Sequence, residues 1–238
     1  MSASAVPLSV LDVRPSVLDF VEYPGHVAYV TLLVDGRDLL EDLGAEGYGS
    51  MADEWTSPLR PTPLEAGPKP RRVYLSAADC GLGCCGGVSV TLRREGSEVV
   101  WSEWLNTYAG GAAVPGEIRF DAAQYDAARA RMAADHSWER PAETVARLLE
   151  ESFCDSGFFG HHDTTLVGVW TSRDLPDRVR LRYRSSERRS NSYSGAVVLP
   201  LDPGAPPAQE VRRLAVRMGE RDPRRLAEDQ AGKGHWEL

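Results

Sequence analysis

The sequence predicts an α+β protein whose sheet is mainly antiparallel. Three observations carry this. Residues 87–105 read as a β-hairpin, two amphipathic helices follow one another in the middle of the chain, and strands do not alternate regularly with helices. The 238 residues, 42% hydrophobic and 26% charged, have the composition of a folded soluble protein and read as one domain over residues 1–238.

The first elements lie before residue 44. "LSVLDV" and "VLDFVEY" look like one or two short strands, and "HVAYVTLLV" has apolar residues on both faces, as a central strand does. Asp35 and Gly36 supply a turn. Leu39, Leu40 and Leu43 then give a short helix its apolar side, and Gly44 stops it.

Residues 58–70, "PLRPTPLEAGPKP", carry five prolines without apolar periodicity, so a surface loop is expected there, the one plausible internal seam. "RRVYLSA" follows as a strand. In the hairpin after it, Val88, Val90 and Leu92 alternate with Ser89, Thr91 and Arg93 before the turn at Glu95-Gly96-Ser97. A strict two-residue period sets Trp101 and Trp104 on opposite faces of the second strand, one in the core and one, Trp104, available to a partner.

Asp121 caps the first central helix, which packs through Tyr125, Ala128 and Met132; Pro141 starts the second, with Val145, Leu148, Leu149 and Phe153 on one side. Strands return at "LVGVW", "RVRLRYR" and "GAVVLPL". A helical pair ends the pattern, the first packing through Val211, Leu214, Ala215 and Met218, the second begun by Asp222-Pro223.

The net charge of −8 argues against nucleic-acid binding by the whole surface, so no sequence-specific nucleic acid is expected, while a local basic patch is still compatible with it. No run of about 18 apolar residues occurs and the N-terminus lacks a signal-peptide pattern, so neither a membrane partner nor export is expected, and the cytoplasm is. Four cysteines in a chain this long are too few for a disulfide framework.

Three of those cysteines fall in "DCGLGCCGG", residues 79–87. A glycine-rich turn can bring two thiolates to one ion, and Cys80 and Cys85, completed by His161 and His162 of "CDSGFFGHHDTT", with Cys154 nearby, are the candidate zinc ligands. The spacing matches no named zinc pattern. A thiol switch would place two residues between its cysteines at a helix N-terminus, whereas this turn leads into a strand. The plain alternative is a structural turn holding buried thiols.

"AYVTLLVDGRDLLEDL", "CGLGCCGGVSVTLRREGSEVVWSEW" and "IRFDAAQYDAARARM" resemble an actinobacterial protein family with a Cys-Gly-rich turn, a Val-Val-Trp hairpin and a Phe-Asp helix start, over about residues 27–132. The pair matching that pattern is Cys80 and Cys85, and Cys84 is additional. The resemblance implies an intracellular α+β protein and no particular activity.

His161, His162 and Asp163 offer the raw material of a general base, but no nucleophile sits in a recognisable context and no phosphate-binding or dinucleotide motif occurs. "RVRLRYR" is different. It sets Arg178, Arg180, Arg182 and Arg184 on one strand face about 7 Å apart, suited to phosphates or an acidic protein surface. The alternative is a solvated face whose arginines pair with some of the 35 acidic residues. The expectation is a non-enzymatic module of immunity or regulatory type, binding an acidic or other anionic partner through the arginine strand and Trp104. The rival is a metal- or thiol-dependent protein.

Overall fold

The computed structural model describes residues 7–19, 26–45, 47–77, 86–171, 177–185, 195–219 and 221–231. It is an α+β structure with three antiparallel sheets. The chain forms two compact units. The first takes in Val27–Thr56 and Pro61–Trp138 with the strand before them; the second takes in Ser57–Arg60 and the chain from Glu139 onward.

The first unit holds β1 (Leu11–Asp19), β2 (His26–Val34) and β3 (Arg37–Asp38) in one sheet, in that order. Asp35 and Gly36 both have positive φ, 52° and 80°, which matches the twist of a two-residue hairpin turn between β2 and β3. Asp38 then caps α1 (Leu39–Asp42), its carboxylate accepting from the Leu40 and Glu41 amides at 2.9 and 3.2 Å. A short α2 (Asp53–Thr56) buries Trp55.

Its second sheet runs β4 (Arg71–Ala77), β5 (Gly87–Glu95), β6 (Glu98–Asn106), β7 (Ile118–Asp121), with α3 (Ala122–Ala134) behind it. Asp121 caps α3 by accepting from the Gln124 amide at 2.9 Å, and Tyr125, Ala128 and Met132 are buried. The ring of Trp101 meets Phe120 edge-on at 5.1 Å and Tyr125 at 6.2 Å. The proline-rich stretch differs from a plain surface loop: Leu64 and Ala66 are core residues, and Tyr125 donates to the Leu64 carbonyl at 2.8 Å. The burial that holds this phenol also pushes its pKa well above the usual tyrosine range, so it stays a neutral donor.

The second unit holds α4 (Pro141–Ser156), α5 (Phe158–His161), β8 (Thr164–Thr171), β9 (Arg178–Ser185), β10 (Gly195–Pro200), α6 (Pro207–Gly219) and α7 (Pro223–Ala231). Its sheet has the order β10-β9-β8, with β9 in the middle. Val179, Leu181 and Tyr183 of β9 share a core with Val145, Leu149 and Phe153 of α4, Phe159 of α5, Leu214 and Met218 of α6, and Leu226 of α7. All four helices therefore contribute to the core on the Val179–Tyr183 face. No described helix is long and apolar enough to cross a membrane.

Candidate functional site

The arginine face is the reverse of that helix-covered core. With Val179, Leu181 and Tyr183 pointing inward, the two-residue period turns Arg178, Arg180, Arg182 and Arg184 outward; the first three are half-buried and Arg184 is exposed. The residues paired across from them share the outer face. On β10 these are Pro200, Val198 and Ala196, opposite Arg178, Arg180 and Arg182. On β8 they are Trp170, Gly168 and Thr165, opposite Arg180, Arg182 and Arg184.

Trp170 completes the face, and the alternation of β8 read by itself misplaces it. Leu166 is buried and packs inward, so strict alternation would send Trp170 inward as well. The β8–β9 register shifts between Leu166 and Gly168, leaving Val167 as an extra residue; Val169 then pairs with Leu181 on the core side and Trp170 with Arg180 on the outer side. Glu150, a buried carboxylate on α4, receives the Val169 amide at 2.8 Å just after this bulge and also accepts from the Ser57 hydroxyl. A buried amide and a buried carboxylate thereby satisfy one another. The indole of Trp170 lies across Gly168, and the Arg182 guanidinium carbon stands 5.2 Å from its ring centroid, a cation–π pair.

Charge sets this face apart. No aspartate or glutamate occurs in β8, β9 or β10. Arg178 has Asp177 at 3.7 Å, while Arg180 and Arg184 form no ion pair among the described residues. The outer face of the β4–β7 sheet shows the opposite arrangement. There Arg93 bonds Glu95 at 2.6 Å and Glu117 at 3.0 Å, and Arg119 bonds Glu98 at 2.7 Å and Glu117 at 2.6 Å. On that sheet Arg93 and Arg119 each meet at least two carboxylates, whereas Arg180 and Arg184 of the second unit meet none among the described residues.

No known protein family, curated protein or solved structure matches this chain.

Trp104, the other partner-facing candidate, stands elsewhere than the hairpin alternation implies. Glu103 adopts φ 52° and the β5–β6 register shifts so that Glu103 and Trp104 together oppose Val90. The bulge brings Trp104 to the same face as Trp101, 5.7 Å between ring centroids, where it is half-buried against the core of the first unit. Arg72 donates to the Glu103 carbonyl at 2.9 Å and Thr91 to its carboxylate at 2.8 Å, which hold the bulge.

Of the candidate metal ligands, Cys80 and Cys85 lie outside the described residues, as does Cys84. His161 is exposed at the end of α5, and His162 is half-buried with its ring edge-on to Phe158 at 4.9 Å. Among the described residues no group of three or more histidine, cysteine, aspartate and glutamate side chains is placed to hold a metal, so Cys154, His161 and His162 do not make up such a group. Partial burial, and after it the carboxylates of Glu150, Asp155 and Glu151, push the Cys154 thiol above its ordinary pKa, which keeps it protonated and a poor ligand or nucleophile.

Proposed function

We infer that this protein is a non-enzymatic binding module, regulatory or immunity-type, whose working surface is the arginine face of its second unit and whose partner is an anionic macromolecule. The observation that carries this reading is a sheet face with four arginine rungs and a half-exposed indole, in strands that contain no acidic residue, on a chain whose net charge is −8. A concentrated positive field on an acidic protein raises the local concentration of a polyanion and orients it, because the rest of the surface repels it. Arginine suits the task, since its fork of donors meets phosphate or carboxylate oxygens in pairs.

Heparin, a generic polyanion, tests the reading directly. The wild-type protein should be retained on a heparin column despite its acidic pI of 5.2, and the Arg180→Glu, Arg184→Glu double variant should elute at clearly lower salt. A wild-type protein that passes through unretained, or a double variant that elutes with it, overturns the reading.

A further inference from the structure

We propose that the second unit carries a binding site for a small primary amine with an apolar body, lined by none of the β9 arginines. The site is a cavity of about 210 Å³ against the first turn of α4. Its lining is mainly apolar: Pro141, Ala142 and Val145 come from α4, and Leu201, Pro203 and Ala205 from the connection between β10 and α6. An apolar hollow of roughly 150 Å³ is enough to hold benzene, so this one has room for a single ring or a branched chain with one polar group attached. Hydrogen bonds fix its walls. The Leu201 amide donates to the Asp177 carbonyl at 2.7 Å, and the Asp202 amide donates to the Glu210 carboxylate at 2.9 Å. A cavity whose connecting segments are tied in this way is formed before its ligand arrives.

Charge decides which polar group the ligand carries. Four lining residues are ionic, Arg140, Asp177, Asp202 and Glu210, and two of them are already matched. The Arg140 guanidinium bonds Glu143 of the same helix, at 3.1 Å from Nε, and Glu210 accepts from Arg213, which also donates to the Pro200 carbonyl at 2.8 Å. Asp177 and Asp202 are different. Both are exposed, so they stand at the mouth; Asp177 has the Arg178 guanidinium no nearer than 3.7 Å, and among the described residues the Asp202 carboxylate accepts from the Gly204 amide alone, at 3.0 Å. Two carboxylates with acceptor capacity left over, beside an apolar hollow, select a cation. No aromatic residue lines the cavity, so nothing there favours a quaternary ammonium, which is recognised by ring faces. A primary ammonium instead has three N–H donors to share between the two aspartates. An anion would have to draw Arg140 away from Glu143 and pass both aspartates. The ammonium therefore sits toward Asp177 and Asp202, and the apolar body toward Val145 and Leu201.

The test uses the full chain, labelled with nitrogen-15, and three probes of similar shape and different charge: benzylamine, benzyl alcohol and benzoate. Each is titrated through the millimolar range expected of ligands this small while backbone amide shifts are followed. Benzylamine should shift the Ala142, Leu201 and Ala205 amides saturably and bind about tenfold or more tightly than benzyl alcohol, with benzoate weaker still. The double variant Asp177→Asn, Asp202→Asn keeps the side-chain shape and an acceptor for the Gly204 amide, and should lose about tenfold in benzylamine affinity. Ala142→Leu fills the cavity from a helix position where leucine is well tolerated, and should abolish the saturable shifts. Spectra unchanged away from the cavity show that both variants are folded. Benzyl alcohol or benzoate binding as tightly as benzylamine overturns the amine assignment, as does a double variant that binds like wild type. No saturable shift with any probe overturns the site itself. Binding of Nα-acetyl-lysine methylamide without binding of benzylamine would place the amine on a polypeptide and overturn the small-molecule assignment.

Discussion

Trp170 lies over Gly168, and the space its indole fills is the space a side chain at 168 would need: an added Cβ would come within 2.6 Å of the ring's Cζ2 and Cη2. Gly168→Ala should therefore lift the indole off the sheet rather than break the fold, because the atoms in conflict are the far end of a side chain at a half-exposed position. We expect a change in melting temperature of only a few degrees, on the order of 1 kcal/mol, with a clear loss of heparin retention. A variant retained like wild type would mean that the ring's place over Gly168 contributes nothing to the surface.

Glu150 holds the bulge that turns Trp170 outward. Removing its carboxylate in Glu150→Ala leaves the buried Val169 amide without its acceptor, at a cost of about 1–3 kcal/mol, and frees the half-buried Ser57 hydroxyl, which costs less. Urea denaturation should show a loss toward the upper part of that range, and Ser57→Ala a smaller loss of about 1 kcal/mol. If Glu150→Ala unfolds at the wild-type midpoint, the carboxylate is not what secures the bulge.

Glu103 occupies a left-handed backbone position, φ 52°, where a side chain costs free energy that glycine does not pay. Both Glu103→Ala and Glu103→Gly lose the bond from Thr91, but only glycine relieves the backbone. The alanine variant should be the less stable of the two by about 1 kcal/mol in chemical denaturation. Equal stabilities would argue that the bulge relaxes when the carboxylate is gone.

Acid should weaken the second unit through Glu210 on α6. The Arg213 guanidinium bonds this carboxylate and holds its pKa below the ordinary 4.5, against the opposing effect of burial, and the Asp202 amide adds to the lowering. A carboxylate whose folded pKa is depressed stabilises above its unfolded pKa, and that contribution is lost as pH falls below about 4.5 and through the folded value. Denaturation midpoints measured from neutral pH downward should fall in this window, and Glu210→Gln, already destabilised at neutral pH, should fall less steeply.

Cys154 should react slowly with iodoacetamide at neutral pH, because its thiol is held protonated above its ordinary pKa of 9.0 although the residue is exposed. The rate should climb only as pH approaches and passes that value. Fast alkylation at pH 7 would show that neither partial burial nor the neighbouring carboxylates hold this thiol protonated.

How far the sequence disclosed all this depended on whether a signal was local. The two periodicities did, since Val179, Leu181 and Tyr183 against four arginines assign the faces of β9 without any knowledge of its neighbours. The cap at Asp121 and the helix start at Pro141 were legible for the same reason. Both tryptophans were not. Each is turned over by a single extra residue, Glu103 for Trp104 and Val167 for Trp170, and neither glutamate nor valine announces a bulge as glycine would. Leu64 and Ala66 were hidden by composition, two core residues among five prolines. Neutralisation was legible only in part: Glu95 and Glu117 stand two residues from Arg93 and Arg119, on the same side of the chain, but the bonds from Arg93 to Glu117 and from Arg119 to Glu98 depend on strand register, which alternation along one strand does not specify.

Because β9 is bonded to a strand on each side, its arginine spacing is a matter of parity. Any one of the four can be exchanged for another polar residue with modest local effect. Inserting or deleting a single residue within β9, by contrast, would drive every guanidinium beyond that point into the helix-covered core and expose Val179, Leu181 or Tyr183 instead. The surface is thus forgiving of spelling and intolerant of length, so relatives that share it should vary in letters along β9 but hold its residue count fixed.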